Sequence, residues 1–246
     1  MKKKIIIFCC CFLAFFAVIF FEKNKIFNGF IIKNFGQSAE KSNQTKGKKI
    51  YNTINLIDPE GNNIPIFISS LPLFEEYLME QDDQKIEIER TSVTFLDIKS
   101  KDGSFYNLFK YDCGNKLCSS LLVKLSKEKK VISSLKSGYG MFIDVKQSLN
   151  LENVVFRFAI NEGNLVIRNN LVPFNIKNME LLQVESKQIY QEYIENANIP
   201  ITDFKWVNND VILIKVADIQ DSTYDSLLNW YKAPIRKTKE IKIELH

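Results

Sequence analysis

At 246 residues, 46% apolar and 25% charged, the chain is large enough for one or two domains with a real core and too apolar for a disordered protein. Its formal charge of +4 is unevenly spread: residues 1–49 hold ten lysines against Glu22 and Glu40, a balance of +8, which leaves −4 for residues 50–246. A mildly acidic folded part excludes a basic face for nucleic acid.

Met1-Lys2-Lys3-Lys4 precedes a run of 17 uncharged apolar residues, Ile5 to Phe21. As a helix the run spans ~26 Å, close to a hydrocarbon core of about 30 Å. No small-residue cleavage site follows it; Gln37-Ser38-Ala39 is a poor match, and Glu22 to Lys25 come directly after the run. The reading is a cytoplasmic tail (1–4), a transmembrane signal anchor (5–21), a polar tether (22–49) and an extracytoplasmic β-rich domain (50–246). The lysines ahead of the span keep the N-terminus in the cytoplasm. Secretion after cleavage of a signal peptide is the alternative localisation, and a buried core helix is a third reading of the run. Cys9, Cys10 and Cys11 lie inside it as small hydrophobes, and Ile-Ile-Phe before Cys9 does not suit lipid attachment. The richness in Lys, Asn, Ile and Phe is that of an AT-rich bacterial genome.

Folded structure is expected from Ile50. Tyr51 to Leu56, a turn at Asp58-Pro59-Glu60-Gly61 and Ile64 to Ile68 read as a hairpin, with Pro65 marking the second strand as an edge. Ser70 can cap a short helix over 71–80, with Leu71, Phe74, Leu78 and Tyr77 inward. Asp82 and Asp83 read as solvated surface or a helix end rather than a catalytic pair.

From Ile86 the pattern is mostly strand. Val154, Phe156, Phe158 and Ile160 share one side, Val155, Arg157 and Ala159 the other, and Ile241, Ile243 and Leu245 alternate with Lys242 and Glu244. Between two strands, Tyr111-Asp112-Cys113-Gly114-Asn115-Lys116-Leu117-Cys118 places a turn signal between cysteines. A structural disulfide Cys113–Cys118 is expected, with free thiols as the alternative; too few further ligands are near for a metal. Two later helices are expected, one capped by Ser186 over 187–198 and one capped by Asp221 or Ser222 over 222–232. Trp230 and Tyr231 on the second can pack against the sheet or serve as an interaction surface.

Asp-apolar-Lys recurs at Asp97, Asp144 and Asp203, 47 and 59 residues apart. A turn follows each copy, then a strand (FYNLFKY, VVFRFAI, VILIKVADI), a loop and a second strand. Lys99-Ser100-Lys101-Asp102-Gly103 before the first strand is similar to the S-P-D-G signature of TolB-like (PD40) β-propeller repeats, with Ser100, Asp102 and Gly103 in matching places. The second copy keeps Ser148, the third keeps Trp206 and the turn, and the proline is missing from all three. The resemblance covers residues 90–245 and implies an all-β fold of about three propeller-blade-like antiparallel repeats with a few short helices. Three blades cannot close a ring, which typically needs four to eight; an antiparallel β-sandwich is the alternative.

The chemistry of catalysis is sparse. His246 is the single histidine, Gly138-Tyr139-Gly140 is no phosphate loop, and Ser133-Ser134-Leu135-Lys136 matches S-x-x-K in a stretch that reads as strand ending at Gly138. No cofactor and no metal are expected. The sequence points to a membrane-tethered extracytoplasmic binding module of the bacterial cell envelope. Its partner would be an envelope protein or a wall polymer, and the membrane would be met through residues 5–21. The alternative is an exported carboxylate-dependent glycan hydrolase.

Overall fold

Three antiparallel sheets, the first a two-stranded hairpin, account for the twelve strands of the computed structural model, which describes residues 52–114 and 117–246. The tail 1–4, the apolar run 5–21 and the tether 22–49 lie outside the described residues. Among the described residues no helix is long and apolar enough to cross a membrane.

The hairpin that the sequence predicts is β1 (Thr53–Ile57) with β2 (Asn63–Phe67), with Pro65 opposite Asn55. A 3-10 turn, Ile68–Ser70, leads into α1 (Pro72–Met79), which buries Phe74 and Leu78. Ser70 is not its cap: Leu71 holds that position without a side-chain bond, and Pro72 starts the helix, where a missing N–H costs nothing. Asp83 is a helix cap, accepting the amides of Lys85 and Ile86 at the start of α2 (Gln84–Glu89).

A seven-stranded meander follows: β3 (Ser92–Leu96), β4 (Phe105–Tyr111), β5 (Cys118–Leu125), β6 (Val131–Gln147), β7 (Asn153–Glu162), β8 (Val166–Asn175) and β9 (Glu180–Leu181). Strand β6 is 17 residues long and changes partner midway, pairing with β5 up to Gly140 and with β7 from Met141. The strand therefore does not end at Gly138, as its sequence suggests. It turns a corner there because two glycines let the next layer close in. A Cβ on Gly138 would stand 2.5 Å from the Phe158 ring, and one on Gly140, at φ +133°, would stand 2.9 Å from the Ala159 carbonyl oxygen. Ser133 and Lys136 lie on this extended strand, so three residues place them on opposite faces and the S-x-x-K reading lapses.

Beyond the meander, Ser186 caps α3 (Lys187–Ile189), which runs into a π-helical turn, Tyr190–Glu195. The third sheet is β10 (Ile201–Trp206), β11 (Val211–Ala217) and β12 (Thr238–Glu244), with α4 (Tyr224–Lys232) inserted between its last two strands. Thr223 caps α4, while Asp221 accepts the Thr223 amide one step earlier.

Core packing shows the layering. Phe105, Phe109, Leu121 and Val123 pack against the hairpin and α1. From the same strands, Tyr106, Leu108 and Leu122 pack on Val154, Phe156, Phe158 and Phe174 of the second half of the meander. Val155 and Leu171 point the other way, onto Phe204, Ile212 and Ile214 of the third sheet. Middle sheets covered on both faces explain why β4, β5 and β7 read as nearly continuous apolar runs. The two sides of β7 are divided as its sequence predicts.

The three Asp-apolar-Lys segments lie next to one another in the structure. Asp97 directly follows β3, Asp144 lies near the end of β6 and Asp203 lies in β10, each at the first strand of its group. The copies touch in sequence order. Gln147 exchanges hydrogen bonds with the backbone of Lys99, and Lys146 Nζ reaches Asp203 at 2.6 Å, while the Trp206 indole donates to the Lys146 carbonyl at 2.9 Å. The turns behind them also meet: Asn209 accepts from the Asn150 amide through its side chain and from the Asn153 side chain through its backbone.

Candidate binding site

The turn-bearing end of this stack carries a pocket of about 210 Å³ between the two halves of the meander. Its walls come from the β3–β4 turn (Ser100, Lys101, Asp102), the β6–β7 loop (Leu151, Glu152), the end of β8 (Ile176, Lys177) and the strand residues Tyr106 and Lys124.

Lys124 is the unusual member. It pairs with Tyr106 across β4 and β5, on the face that packs between two sheets, and is only 6% exposed. An unpaired ammonium is very costly there. Its Nζ lies 3.1 Å from Asp102 Oδ2 and 3.5 Å from the Ile176 carbonyl, to which the Tyr106 hydroxyl also donates at 3.3 Å. Asp102 in turn accepts from the Ser100 hydroxyl and from the Ser104 amide at 2.9 Å. The Ser100 hydroxyl first, then the Ser104 amide and Lys124, hold the Asp102 carboxyl far below the usual carboxylate range. Burial pushes the Tyr106 phenol up, so it stays protonated.

At the mouth, Lys101 Nζ is 3.0 Å and Lys177 Nζ 4.0 Å from Glu152. Lys101 is the main reason that the Glu152 carboxyl also sits low. Three lysines thus face two carboxylates, and both carboxylates are held ionised. Such a pocket can bind through charge and hydrogen bonds; neither acid is poised to give a proton.

The predicted Cys113–Cys118 pair stands at disulfide distance and clamps the β4–β5 turn, where the Gly114 amide donates to the Leu117 carbonyl. Neither cysteine lines the pocket. Trp230 is 7% exposed, with its indole N–H donating to the Lys237 carbonyl at 2.6 Å. Tyr231 is half-buried; its hydroxyl donates to the Ile167 carbonyl at 2.8 Å, and the Arg236 guanidinium lies over both rings. These two aromatics fasten α4 to β8 and to the strand that follows, and they do not border the pocket.

Sequence reasoning passes over Lys124 because a lysine in SSLLVKL reads as the solvent side of an alternating strand. The usable signal is the surrounding run: a strand apolar on both faces leaves no solvent side. Among the described residues, no three His, Cys, Asp or Glu side chains cluster to hold a metal ion. Comparison with known protein families, curated proteins and solved structures gives no match.

Proposed function

We propose that this chain is a membrane-tethered, extracytoplasmic binding module of the bacterial cell envelope, and that its three strand groups are blade-like repeats of one antiparallel unit in an open stack. The tether and location rest on the sequence of residues 1–49. The repeat reading is supported by the sequential contacts of the Asp97, Asp144 and Asp203 segments.

One observation carries the binding reading: a turn-borne pocket on a double-covered sheet scaffold, with a buried lysine and every lining carboxylate locked in an ion pair. Loops held by a rigid scaffold are where proteins place recognition. A glycan hydrolase instead needs one carboxylic acid kept protonated to serve the leaving group. Asp102 and Glu152 are both pushed the other way.

The test is a photo-reactive residue in place of Lys177 at the pocket mouth, in the full-length protein in intact cells. The control position is Leu165, 55% exposed in the β7–β8 turn at the opposite end of β7. A specific adduct, to an envelope protein or to wall polymer, from Lys177 but not from Leu165 is the expected result. Equal labelling from both positions, or none from either, overturns the pocket as the binding site.

A further inference from the structure

Strand β12 closes the third sheet on one side only: β11 pairs along its whole length, and no strand pairs along its other edge among the described residues. The hydrogen bonds fix which groups that edge offers. Leu245 donates its amide to Asp210 on the β11 side, whereas His246 exchanges both backbone bonds with Gln183 on the opposite side, at 2.9 and 3.0 Å. Alternation along an antiparallel strand then turns the N–H and C=O groups of Thr238, Glu240, Lys242 and Glu244 outward. Next to Lys242 and Glu244 the edge borders a pocket of about 210 Å³, because the chain diverges after its bridge from Val184 to Leu245.

We propose that this edge is a homodimer interface, in which two copies pair their β12 strands antiparallel about a two-fold axis at Ile241. An isologous contact requires a strand that is complementary to itself. With the axis at Ile241, Glu240 of each copy faces Lys242 of the other, Lys239 faces Ile243, and Ile241 meets its own counterpart. The neighbouring registers fail. An axis at Glu240 sets glutamate against glutamate. An axis at Lys242 sets lysine against lysine and pushes the second strand to the level of Leu245, where Val184 already occupies the edge. Glu240 has no ion-pair partner among the described residues, and Lys242 has only Glu244 of its own strand, so both are available to a second copy. The result is one continuous six-stranded sheet, which satisfies eight outward backbone groups per copy and removes an exposed edge. The pairing is independent of what the pocket binds.

The test is the mass of the full-length protein in detergent micelles, by light scattering with the detergent contribution subtracted, across a concentration series. The unsubstituted protein is expected to be a dimer. Glu240→Lys and Lys242→Glu should each raise the dimer dissociation constant by roughly ten-fold or more, since two attractive cross-strand pairs become repulsive. Glu240→Lys combined with Lys242→Glu should restore dimerisation, because the exchanged charges again face each other. Both side chains point to solvent, so near-UV circular dichroism should be unchanged in all three variants. A monomer at every concentration overturns the proposal; so do single variants that dimerise like the unsubstituted protein, and so does a double variant that fails to recover.

Discussion

On one side of β7, Val154, Phe156 and Phe158 sink into the aromatic and aliphatic layer shared with β4 and β5, and none of them is reached by solvent. On the other, Val155 and Ala159 flank Arg157, whose Nε and Nη2 bind both oxygens of Asp144 at 2.9 and 2.7 Å while Nη1 reaches the Ile201 carbonyl at 2.7 Å. The first seam is held along β7 by burial, which is non-directional, with its directional bonds at the turn-bearing end, where Gln147 meets Lys99 and where Lys124 and Tyr106 meet the Ile176 carbonyl. The second is apolar too, but around Arg157 it carries directional contacts: the Arg157 fork, the Lys146–Asp203 pair, and the Phe204 ring beneath both cations at 5.7 and 4.8 Å. The same strand thus presents a wholly apolar face to one seam and a charged fork at the centre of the other. The planar Arg157 fork adds specificity of alignment to the apolar packing of the second seam.

The largest break in this comparison is Phe156→Ala. Phe156 contacts Phe142, Phe158 and Phe174 with ring centroids 5.7–6.3 Å apart. Truncation removes the buried ring and leaves a void that close-packed neighbours fill only partly, at a cost of about 3–5 kcal/mol. The midpoint of urea unfolding followed by tryptophan fluorescence reads it. A loss below about 1 kcal/mol would mean that the first seam is not dry and closely packed.

Arg157→Ala is next, at about 3 kcal/mol, because it strips both donors from the half-buried Asp144 carboxylate and leaves the Ile201 carbonyl without its donor. Arg157→Lys sharpens the comparison: charge is kept but the fork is lost, so most of the destabilisation should remain. Full rescue by lysine would show that the second seam needs charge only, contrary to its geometry.

How much of this was readable beforehand depends on how local the cause is. The division of β7 into two faces follows from a period of two and was legible residue by residue. So was the β1–β2 hairpin, whose Asp58 accepts the Glu60 and Asn62 amides within its own turn. Strand β6 was not legible as one strand. A strand that changes partner leaves no turn signal, and the meaning of Gly138 depends on Phe158, twenty residues away. Lys124 failed for the same reason, since its burial is decided by the second sheet layer. The approach of Cys113 and Cys118 to disulfide distance was legible, since the two bracket a turn. Nothing in composition shows that Ser100, Glu152 and Lys177 meet at one pocket.

Acid should distinguish the carboxylates of the two seams from ordinary surface acids. Asp102 in the first is held low by Ser100 above all, and Asp203 in the second is held low chiefly by Lys146. A carboxyl whose folded value lies below its unfolded value, about 4, stabilises the fold fully above that range. That contribution is lost as the pH falls through the lower folded value. The melting temperature is therefore expected to be flat from pH 7 to about pH 5 and to fall below about pH 4. The drop should be smaller in Asp102→Asn combined with Asp203→Asn than in the unsubstituted protein. An equal drop would place the acid sensitivity elsewhere, the buried Asp58 beside Lys129 being the first alternative.

The smallest effect belongs to the pair that looks strongest on distance alone. Lys146 and Asp203 meet at 2.6 Å, yet their side chains are 37% and 61% exposed, so water screens the attraction and both chains lose rotamer freedom to hold it. A double-mutant cycle of Lys146→Ala and Asp203→Ala should give a coupling below about 1 kcal/mol that shrinks in 1 M salt. Lys146→Ala alone should cost more than the coupling, because its ammonium also caps the Phe204 carbonyl and lies over the Phe204 ring. A coupling near that of a buried pair, about 3 kcal/mol and insensitive to salt, would mean that the second seam excludes water along its whole length. The two faces of β7 would then be equally dry, and the contrast between them would lie in chemistry alone.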